Sequence, residues 1–486
     1  MKKEILAGTI ALTLIPTLSI GAQKNEKPNI VFIFADDHSY ECVGDIGRDK
    51  VITPNLDRLL KNGTHFTHAF NQGAWHGAVS VASRSMLATG ANLWKVNDVI
   101  KTNNANQNDA SYVHRPYWTE MIKKEGYDTY FTGKWHVNGV KVDEVFDTAK
   151  NVRGGMADQH DDCYNREFIE GTPDKWTSYD ESYGGQWQGG KHWAEVVKDD
   201  AVEYMDMVKD SDNPFFMYLA FNSPHDPRQA PKEFFDKYSL DDITVSENFV
   251  GKYEFADDIG CSVKLRDERL APFPRTEYSV KLNRKEYYAM ITHMDHQIGE
   301  ILDALEKSGK MDNTYIIYTA DHGISIGDHG FLGKQNQYDA SVRVPFIVVG
   351  PDVPKNKQID DLIYVQDAMA TTLDIAGSDG TEIVDFKSVL PLINDKKAEK
   401  RDAVYGAYMT LQRMIRTEEY KMIIYPDINV VRLYNIKKDP LEMVDLAKNS
   451  KYRKTLEQLF KQFKELQVEV EDKLDVTAAF NAFMAK

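Results

Sequence analysis

Acidic side chains follow two apolar segments of this chain, at the point where each segment ends. Asp36 and Asp37 come directly after the apolar run that ends at Ala35, and Asp321 with His322 follows a later run of the same kind. Three carboxylates brought close together strongly disfavour ionisation unless a cation compensates their charge. Oxygen ligands favour a hard divalent cation, calcium or magnesium, and His322 would be the unusual ligand of the set. One Asp-Asp pair would be explained as a turn or a helix cap, but the repeat at two strand ends predicts a metal site.

Basic side chains occupy the same kind of position. Lys134 and His136 follow one apolar run, His225 lies just beyond another, and Lys334 follows the glycine-rich loop after Asp321. Four nitrogen donors and a dication would suit a tetrahedral anion and the negative charge that grows on its leaving oxygen. Each residue alone would be an ordinary solvated or packed side chain. Their joint position at predicted strand ends indicates a site that processes an anion.

These side chains are positioned by an alternation of apolar strands and amphipathic helices. Buried parallel strands are predicted at residues 29–35, 126–132, 215–221, 314–320 and 344–349. One helix is predicted from Thr53-Pro54 to Gly63, and a longer one spans residues 285–308. The pattern predicts an α/β fold with a mostly parallel sheet sandwiched by helices. Ligands of such sheets bind beyond the carboxyl ends of the strands, where the polar residues lie.

Two further regions differ from this pattern. Residues 150–195 interleave glycines with aromatic residues, which predicts an irregular insertion whose rings either stack on sugars or pack the loop itself. From about residue 386, four short segments read as antiparallel strands (403–409, 412–416, 420–425 and 431–434), and a charged helix follows Ser450. We therefore expect a catalytic domain over residues 23–385 and a smaller α+β subdomain over residues 386–486.

The composition restricts the function and predicts export. A net charge of −16 over 486 residues argues against a broad basic surface for nucleic acid. Residues 1–22 have the charged start, apolar centre and small-residue end of a secretory signal. The apolar part is broken by polar residues and Pro16, which disfavours stable membrane insertion, so we expect a periplasmic or secreted bacterial protein. Three cysteines, Cys42, Cys163 and Cys261, are too few for a disulfide scaffold.

The segment from Ser80 to Gly90 begins with serine, continues through Ala82-Ser83-Arg84 and ends in Thr89-Gly90. On its own it could be a serine-rich helix start, because serine caps helices well. It also resembles the modification signature of formylglycine-dependent type I sulfatases of the alkaline phosphatase superfamily. In that family the first residue, Cys or Ser, is oxidised to formylglycine, and the aldehyde hydrate is the nucleophile. Ser80 would suit a bacterial maturation enzyme that accepts serine.

The resemblance extends over nearly the whole predicted mature chain. It rests on residues 29–37, 53–66, 80–90, 126–136, 223–227, 288–305, 314–345, 433–440 and 442–446. Two positions depart from the family pattern. Ala82 stands where proline is commoner, and His322 stands where asparagine is frequent.

The resemblance implies a role for each candidate residue. Asp36, Asp37, Asp321 and His322 would bind one calcium ion together with formylglycine-80. The resemblance also implies that Arg84 holds the formylglycine, that Asp321 helps to activate the attacking hydroxyl, and that Lys134 orients nucleophile and sulfate. It implies that His136 takes the proton that triggers sulfate release. His225 and Lys334 would contact the ester oxygen, with His225 as general acid.

The substrate is expected to be a sulfated carbohydrate, first a glycosaminoglycan oligosaccharide, because export and the glycine-aromatic insertion favour glycans over aryl esters. His76, Asn92 and Trp94 are candidate substrate contacts. One alternative is a metal-dependent phosphoesterase of the same superfamily, although motifs for a second metal are missing and residues 80–90 would be unexplained. A second alternative is a non-catalytic glycan-binding relative, which loss of the nucleophile or metal carboxylates would support.

Overall fold

The computed structural model describes residues 27–105, 114–395 and 397–486, so the predicted signal sequence at residues 1–22 lies outside the described residues. The strands are β1 (Asn29–Ala35), β2 (Thr64–Phe70), β3 (Gly73–Ala74), β4 (Asp128–Lys134), β5 (Thr148–Arg153), β6 (Phe215–Ala220), β7 (Thr314–Ala320), β8 (Arg343–Val349), β9 (Lys357–Tyr364), β10 (Ala403–Tyr408), β11 (Gln412–Thr417), β12 (Tyr420–Tyr425) and β13 (Val430–Asn435). The helices are α1 (Pro54–Asn62), α2 (Val79–Thr89), α3 (Val96–Asn103), α4 (Trp118–Lys124), α5 (Val142–Val145), α6 (Trp193–Val208), α7 (Lys232–Phe235), α8 (Glu277–Lys307), α9 (Asp339–Val342), α10 (Asp367–Ala376), α11 (Leu390–Asn394), α12 (Arg453–Glu469) and α13 (Thr477–Met484).

The main sheet has the strand order β5-β4-β6-β1-β7-β8-β2-β9 among the described residues. Its central strands are apolar on both faces; every residue of β1 and of β6 is buried. Helices α1, α6 and α8 pack together, as do α2, α4 and α10, so helices flank the sheet. The predicted α/β sandwich is confirmed.

One strand departs from the predicted parallel arrangement. β8 pairs antiparallel with both β7 and β2, whereas β1 pairs parallel with β6 and β7. A parallel neighbour of β7 would need a crossover of a dozen or more residues, usually a long helix, back to the other edge of the sheet. The segment between β7 and β8 contains only the four-residue helix α9 among its described residues, and the chain turns back instead.

The second sheet has the order β13-β12-β11-β10-β3 within the described ranges. β10 to β13 are antiparallel and match the four predicted strands to within one or two residues. β3 adds parallel to β10, at Gly73 and Ala74, just before the helix that carries Ser80. The C-terminal part of the chain is therefore joined by backbone hydrogen bonds to the segment that leads into α2.

Residues 154–192 of the predicted insertion are irregular, as expected, but the prediction is wrong at both ends of 150–195, because residues 150–153 belong to β5 and residues 193–195 begin α6. The aromatic rings of the irregular part largely pack that segment itself. Trp176 is buried and stacks on Tyr183 with 4.9 Å between ring centroids, and Trp187 is buried beside His192. This arrangement agrees with the packing interpretation of these rings. The three cysteines are buried free thiols. Across the described ranges, each helix is too short or too polar to cross a bilayer.

Candidate active site

The four strand ends singled out in the sequence are neighbours in space. β4, β6, β1 and β7 are consecutive in the main sheet and run parallel. Their carboxyl ends therefore lie side by side at one edge, which is where open α/β sheets bind ligands. The acidic and basic residues that follow these strands come together at this edge.

The carboxylates form one buried cluster. Asp36, Asp37, Asp321 and His322 present ligand atoms that all lie within 4.8 Å of one another. The side chain of His322 approaches Asp37, with 3.1 Å between Nε2 and Oδ1. The backbone N–H groups of Asp37 and His322 both donate to Asp321 Oδ1, at 3.1 and 2.9 Å, which fixes the orientation of that carboxylate.

Ser80 reaches this cluster from the first turn of α2. Its hydroxyl oxygen lies 3.2 Å from Asp36 Oδ1 and 3.0 Å from His322 Nε2. The positive end of a helix dipole favours negative charge at this position. The helix ends at Thr89 and is capped by Gly90, whose φ of 64° is left-handed and whose N–H donates to Met86 O at 2.8 Å. Every residue of α2 is buried. Ser80 lies at the start of this helix, and its hydroxyl points at the carboxylates.

Arg84 lies one turn after Ser80 on the same helix and is fully buried. Its Nε donates to Asp321 Oδ2 at 3.2 Å, and its Nη1 donates to the carbonyl of Lys134 at 2.9 Å. The guanidinium carbon lies 4.8 Å from the centroid of the Phe34 ring. Residues four apart share a helix face, so the spacing in the sequence places both side chains at one site.

Two buried lysines compensate the acidic cluster. Lys134 Nζ donates to Asp36 Oδ2, and Lys334 Nζ donates to both oxygens of Asp37, at 2.8 and 2.7 Å. Burial lowers the pKa of Lys134, whereas the carboxylates around Lys334 raise its pKa despite burial. Both ammonium groups thus face the edge where a ligand would bind.

The charges of the carboxylates depend on these cations. Burial raises the pKa of Asp37 well above its ordinary value even though Lys334 opposes the shift. Burial also acts to raise the pKa of Asp36 and of Asp321, but the basic groups around them, including Lys134 and Arg84, hold both pKa values below the ordinary one. A crowded, partly ionised set of this kind is suited to a dication, which would remove the repulsion.

His322 fits the same purpose. Burial lowers its pKa to about 4, so the imidazole is neutral near neutral pH and its Nε2 is available to a metal. Its Nδ1 faces the carbonyl of Gly323 at 2.8 Å and is held there as the donor. The donor set therefore fits a divalent cation, with Asp36, Asp37, Asp321 and His322 as its holders.

His225 lies on the other side of Asp37. Its Nδ1 is 2.7 Å from the carbonyl oxygen of Asp226, which makes Nδ1 the donor and leaves Nε2 facing the site, 3.8 Å from Asp37 Oδ2. Burial, followed by the charge of Lys334, lowers its pKa well below the usual value. The tautomer and the direction of Nε2 are thereby set by the backbone.

His136 follows β4 with a left-handed φ of 51°. Burial, together with Lys134 and Arg84, lowers its pKa to about 3. Its Nδ1 is buried and has no hydrogen-bond partner among the described residues. A Cβ at Gly155 would lie 2.6 Å from His136 Nε2, so the glycine leaves room for the ring.

The three predicted substrate contacts lie in different surroundings. His76 is partly exposed in the loop before α2, where its Nδ1 accepts from Ala78 N at 3.0 Å. Asn92 is buried and its Oδ1 accepts from Gln72 Nε2 at 2.7 Å. Trp94 donates through Nε1 to Tyr405 OH in the second sheet at 2.9 Å. Because their polar groups are used inside the protein, sugar contacts of Asn92 and Trp94 stay predictions.

Sequence reasoning missed several charged or polar residues at this edge. Asp226 follows His225 and groups with it and Asp37 as a second set of possible metal ligands. Arg266 and Asp267 come from a loop before α8 and contact His225 and Gln335, respectively. Asp226 lies within residues 223–227, one of the segments that carry the family resemblance, so it could have been predicted from the sequence. The loop before α8 carries no strand-end pattern, so its two residues gave no signal.

The comparisons with known proteins agree with this site. Residues 28–378 match the family described as Sulfatase, which is more than half of the chain, and residues 327–469 match the family described as N-sulphoglucosamine sulphohydrolase, C-terminal. An arylsulfatase of Clostridium perfringens is 27% identical over 90% of this chain and 93% of its own length. An N-acetylglucosamine-6-O-sulfatase of Bacteroides thetaiotaomicron is 25% identical over 96% of this chain and 91% of its own length.

A solved structure shows the same fold. It contains a protein in complex with its substrate D-glucosamine-2-N,6-O-disulfate, with a TM-score of 0.70 and 22% identity over 93% of this chain and 99% of that one. Family membership favours sulfate over the alternative of a metal phosphoesterase. The acidic and histidine cluster, the buried serine and the match over residues 28–378 lead to one conclusion: the chain belongs to the sulfatase family and is a sulfuric ester hydrolase.

Proposed function

We propose that this protein removes sulfate from a sulfated carbohydrate through a formylglycine made from Ser80, with one calcium ion held by Asp36, Asp37, Asp321 and His322. The observation that carries the proposal is the position of the Ser80 hydroxyl, 3.2 Å from Asp36 Oδ1 and 3.0 Å from His322 Nε2. A nucleophile made at this atom would lie against the metal ligands. The neighbouring Arg84, Lys134 and Lys334 would face the sulfate oxygens.

The modification explains how a covalent intermediate would be broken. The maturation enzyme, with an oxidant that accepts two electrons, would remove two hydrogens from the Ser80 hydroxymethyl group and leave an aldehyde. The hydrate of this aldehyde carries two hydroxyls on one carbon. One hydroxyl attacks sulfur while the bond from sulfur to the sugar oxygen breaks. Deprotonation of the second hydroxyl then expels sulfate and restores the aldehyde, which water hydrates again. A bound calcium ion would neutralise the carboxylates and stabilise charge on the sulfate oxygens.

The two histidines suit opposite proton transfers. Burial, Lys134 and Arg84 lower the pKa of His136 to about 3, so its ring is neutral, and an anionic sulfate ester that offsets these cations would raise the pKa toward the range in which the ring can take the proton whose loss releases sulfate. His225 would protonate the leaving sugar oxygen through Nε2. Its pKa is low in the absence of substrate, and an anionic sulfate ester placed beside it would raise that pKa by offsetting Lys334.

The other residues hold the reacting groups in place. Arg84 would fix the formylglycine because it lies one turn along the same helix. Asp321 would help to activate the attacking hydroxyl, and Lys134 would orient nucleophile and sulfate. Lys334 would stabilise charge on the leaving oxygen. His76 is a candidate sugar contact because its ring lies in the partly exposed loop that leads to Ser80.

The proposed substrate is a sulfated glycan, first a glycosaminoglycan fragment. The names of the relatives support this choice, since one is an N-acetylglucosamine-6-O-sulfatase and one structure holds a glucosamine disulfate. We further propose that the protein is exported from a bacterial cell through residues 1–22. A formylglycine-generating maturation enzyme would be its partner during synthesis.

Mass spectrometry of active protein tests the nucleophile. The peptide that contains Ser80 should lack two hydrogens relative to the encoded sequence, or appear as the corresponding hydrate. Ser80→Ala should abolish turnover of a position-defined panel of sulfated sugars, and Ser85→Ala is the matched control. Ser85 lies on the same helix with a buried hydroxyl that has no hydrogen-bond partner among the described residues. Full activity with unmodified serine would reject the proposed mechanism.

A further inference from the structure

Arg266 lies where solvent meets the buried cluster. Its Nη2 is 3.5 Å from Nε2 of His225, the imidazole proposed to protonate the leaving oxygen. The Arg266 side chain is 29% exposed, whereas the side chains of Asp226 and Asp267 beside it are each 1% exposed. Part of the Arg266 side chain is therefore accessible to solvent beside the imidazole of His225.

The surrounding groups hold this arginine in one orientation. Nη2 pairs with Asp267 Oδ1 and lies 3.5 Å from Asp226 Oδ1. The other oxygen of each carboxylate also accepts a hydrogen bond. Asp226 Oδ2 accepts from Tyr164 OH, and Asp267 Oδ2 accepts from Gln335 Nε2 at 2.9 Å. A side chain held in this way is prepared to bind a ligand with little loss of entropy.

The second terminal nitrogen of Arg266 faces a poor acceptor. Nη1 contacts the thioether sulfur of Met156, which belongs to the segment after β5 and is partly exposed. A thioether is a weak hydrogen-bond acceptor, so Nη1 retains most of its capacity to donate. Arginine pairs with planar or tetrahedral oxyanions through strong charge-assisted hydrogen bonds.

The short distance between Arg266 and His225 indicates which part of a substrate could bind to Arg266 Nη1. A leaving oxygen protonated by His225 would lie about 3 Å from Nε2. A substituent on a nearby carbon of the same sugar would then come within a few ångströms of Arg266. We propose that Arg266 Nη1 binds a second sulfate group of the sugar whose sulfate ester is cleaved, with the Met156 side chain moving aside. This inference rests on the proposed function and makes a closely disulfated sugar the preferred substrate.

Substrate pairs test the preference directly. Wild-type protein should be assayed on N-acetylgalactosamine 4-O-sulfate, 6-O-sulfate and 4,6-di-O-sulfate, and on the corresponding N-acetylglucosamine esters. We expect kcat/KM for the disulfated sugar to exceed that for the better monosulfated one by about tenfold to a hundredfold. Equal use of the monosulfated and disulfated sugars would overturn the inference while leaving the sulfatase proposal intact. Absence of turnover on every sugar would instead overturn the proposed function.

Substitutions at Met156 assign the preference to Arg266 without disturbing the buried carboxylates. Met156→Glu would place a carboxylate on Nη1, and we expect it to remove the preference for the disulfated sugar while monosulfate turnover stays within about threefold. Met156→Gln is the uncharged control of similar size and should keep the preference. The same comparison by calorimetric binding to Ser80→Ala protein does not require turnover. A preference that survives Met156→Glu in both measurements would contradict the assignment to Arg266.

Discussion

Lys334 donates to both oxygens of Asp37, at 2.8 and 2.7 Å, although the two residues are 297 positions apart in the chain. Both side chains are almost completely buried. Burial alone would raise the pKa of Asp37, and Lys334 is the largest influence in the opposite direction. The pair therefore links the proposed metal site to the cation proposed to face the leaving oxygen.

Lys334→Ala should reduce kcat/KM by about a hundredfold to a thousandfold, because a fixed cation at the developing negative charge is lost. Initial rates on the preferred sulfated sugar measure the effect, with circular dichroism to check folding. Lys61→Ala is the control, since the Lys61 side chain is 65% exposed and pairs with Asp45 at the surface. If the Lys334→Ala protein is folded and turns over at the wild-type rate, the proposed role of Lys334 is wrong.

Gly155→Ala should lower kcat because its new methyl group would lie 2.6 Å from His136 Nε2 and displace the ring. A misplacement of about 1 Å can cost up to a hundredfold in rate, so we expect a loss of tenfold or more. Neither Gly154 nor Gly155 has a left-handed φ, and a Cβ at Gly154 meets nothing within 4 Å.

Gly154→Ala is therefore the matched control for the neighbouring glycine, and its kcat should stay near that of the wild-type protein. The melting temperatures of both variants show whether a lower kcat comes from a displaced His136 ring in a folded protein or from a loss of folding. If the Gly155 variant melts normally and turns over at the wild-type rate, the proposed role of His136 is wrong.

Removal of divalent cations should reduce both activity and melting temperature, because three carboxylates would be left crowded in the interior. A ligand at a hundred times its dissociation constant stabilises a protein by about 2.7 kcal/mol. Calcium should restore both properties, and Asp321→Asn should abolish the response of melting temperature to calcium. Restoration by magnesium instead would correct the proposed ion, and full activity of protein shown by elemental analysis to be metal-free would refute the metal site.

A second buried ionic cluster joins the C-terminal sheet to the main domain. Lys421 Nζ lies 2.7 Å from Glu442 Oε1, and Glu442 Oε2 accepts from Asp339 N at 2.8 Å. Burial raises the pKa of Glu442 to about 7, with Lys421 opposing the shift and Asp339 adding to it. The folded protein therefore holds this proton more tightly than the unfolded chain does.

Stability from this group should be fully present below the ordinary glutamate pKa of 4.5 and lost as the pH rises through about 7. Glu442→Gln removes the titration, so the decline in the free energy of unfolding over that interval should become shallower. Urea denaturation at several pH values measures the slope for each protein. If the free energy of unfolding depends on pH in the same way in the wild-type and Glu442→Gln proteins, the pKa of Glu442 is not raised.

Much of the fold follows from local patterns. The segments at 29–35, 215–221 and 314–320 are apolar on both faces, which is the property of a strand covered by helices, and each forms a strand with those bounds or one residue shorter. Thr53, Pro54 and Gly63 carry helix start and stop signals, and α1 begins and ends between them. The arrangement of β8 could not be inferred in this way, because an apolar strand has the same pattern whether its neighbours are parallel or antiparallel.

The candidate site divides in the same manner. Asp36, Asp321, Lys134 and His225 were predictable as a group, since Lys134 ends a strand, the other three follow one, and the carboxyl ends of parallel strands meet at one edge. Arg266 and Gly155 were not, because both belong to loops whose position depends on packing between distant segments. Their relation to His225 and His136 is visible only as a distance between atoms.

The sequence by itself determined that polar, titratable residues end the buried strands and that a modifiable serine lies at the start of a helix. Tertiary structure decided that β4, β6, β1 and β7 are consecutive, which brings those ends together, and that Ser80 points at Asp36. It also decided which loop residues surround the reacting groups. The physical reason is that strand order and loop packing depend on contacts between residues far apart in the chain, whereas burial pattern and helix capping depend on neighbours.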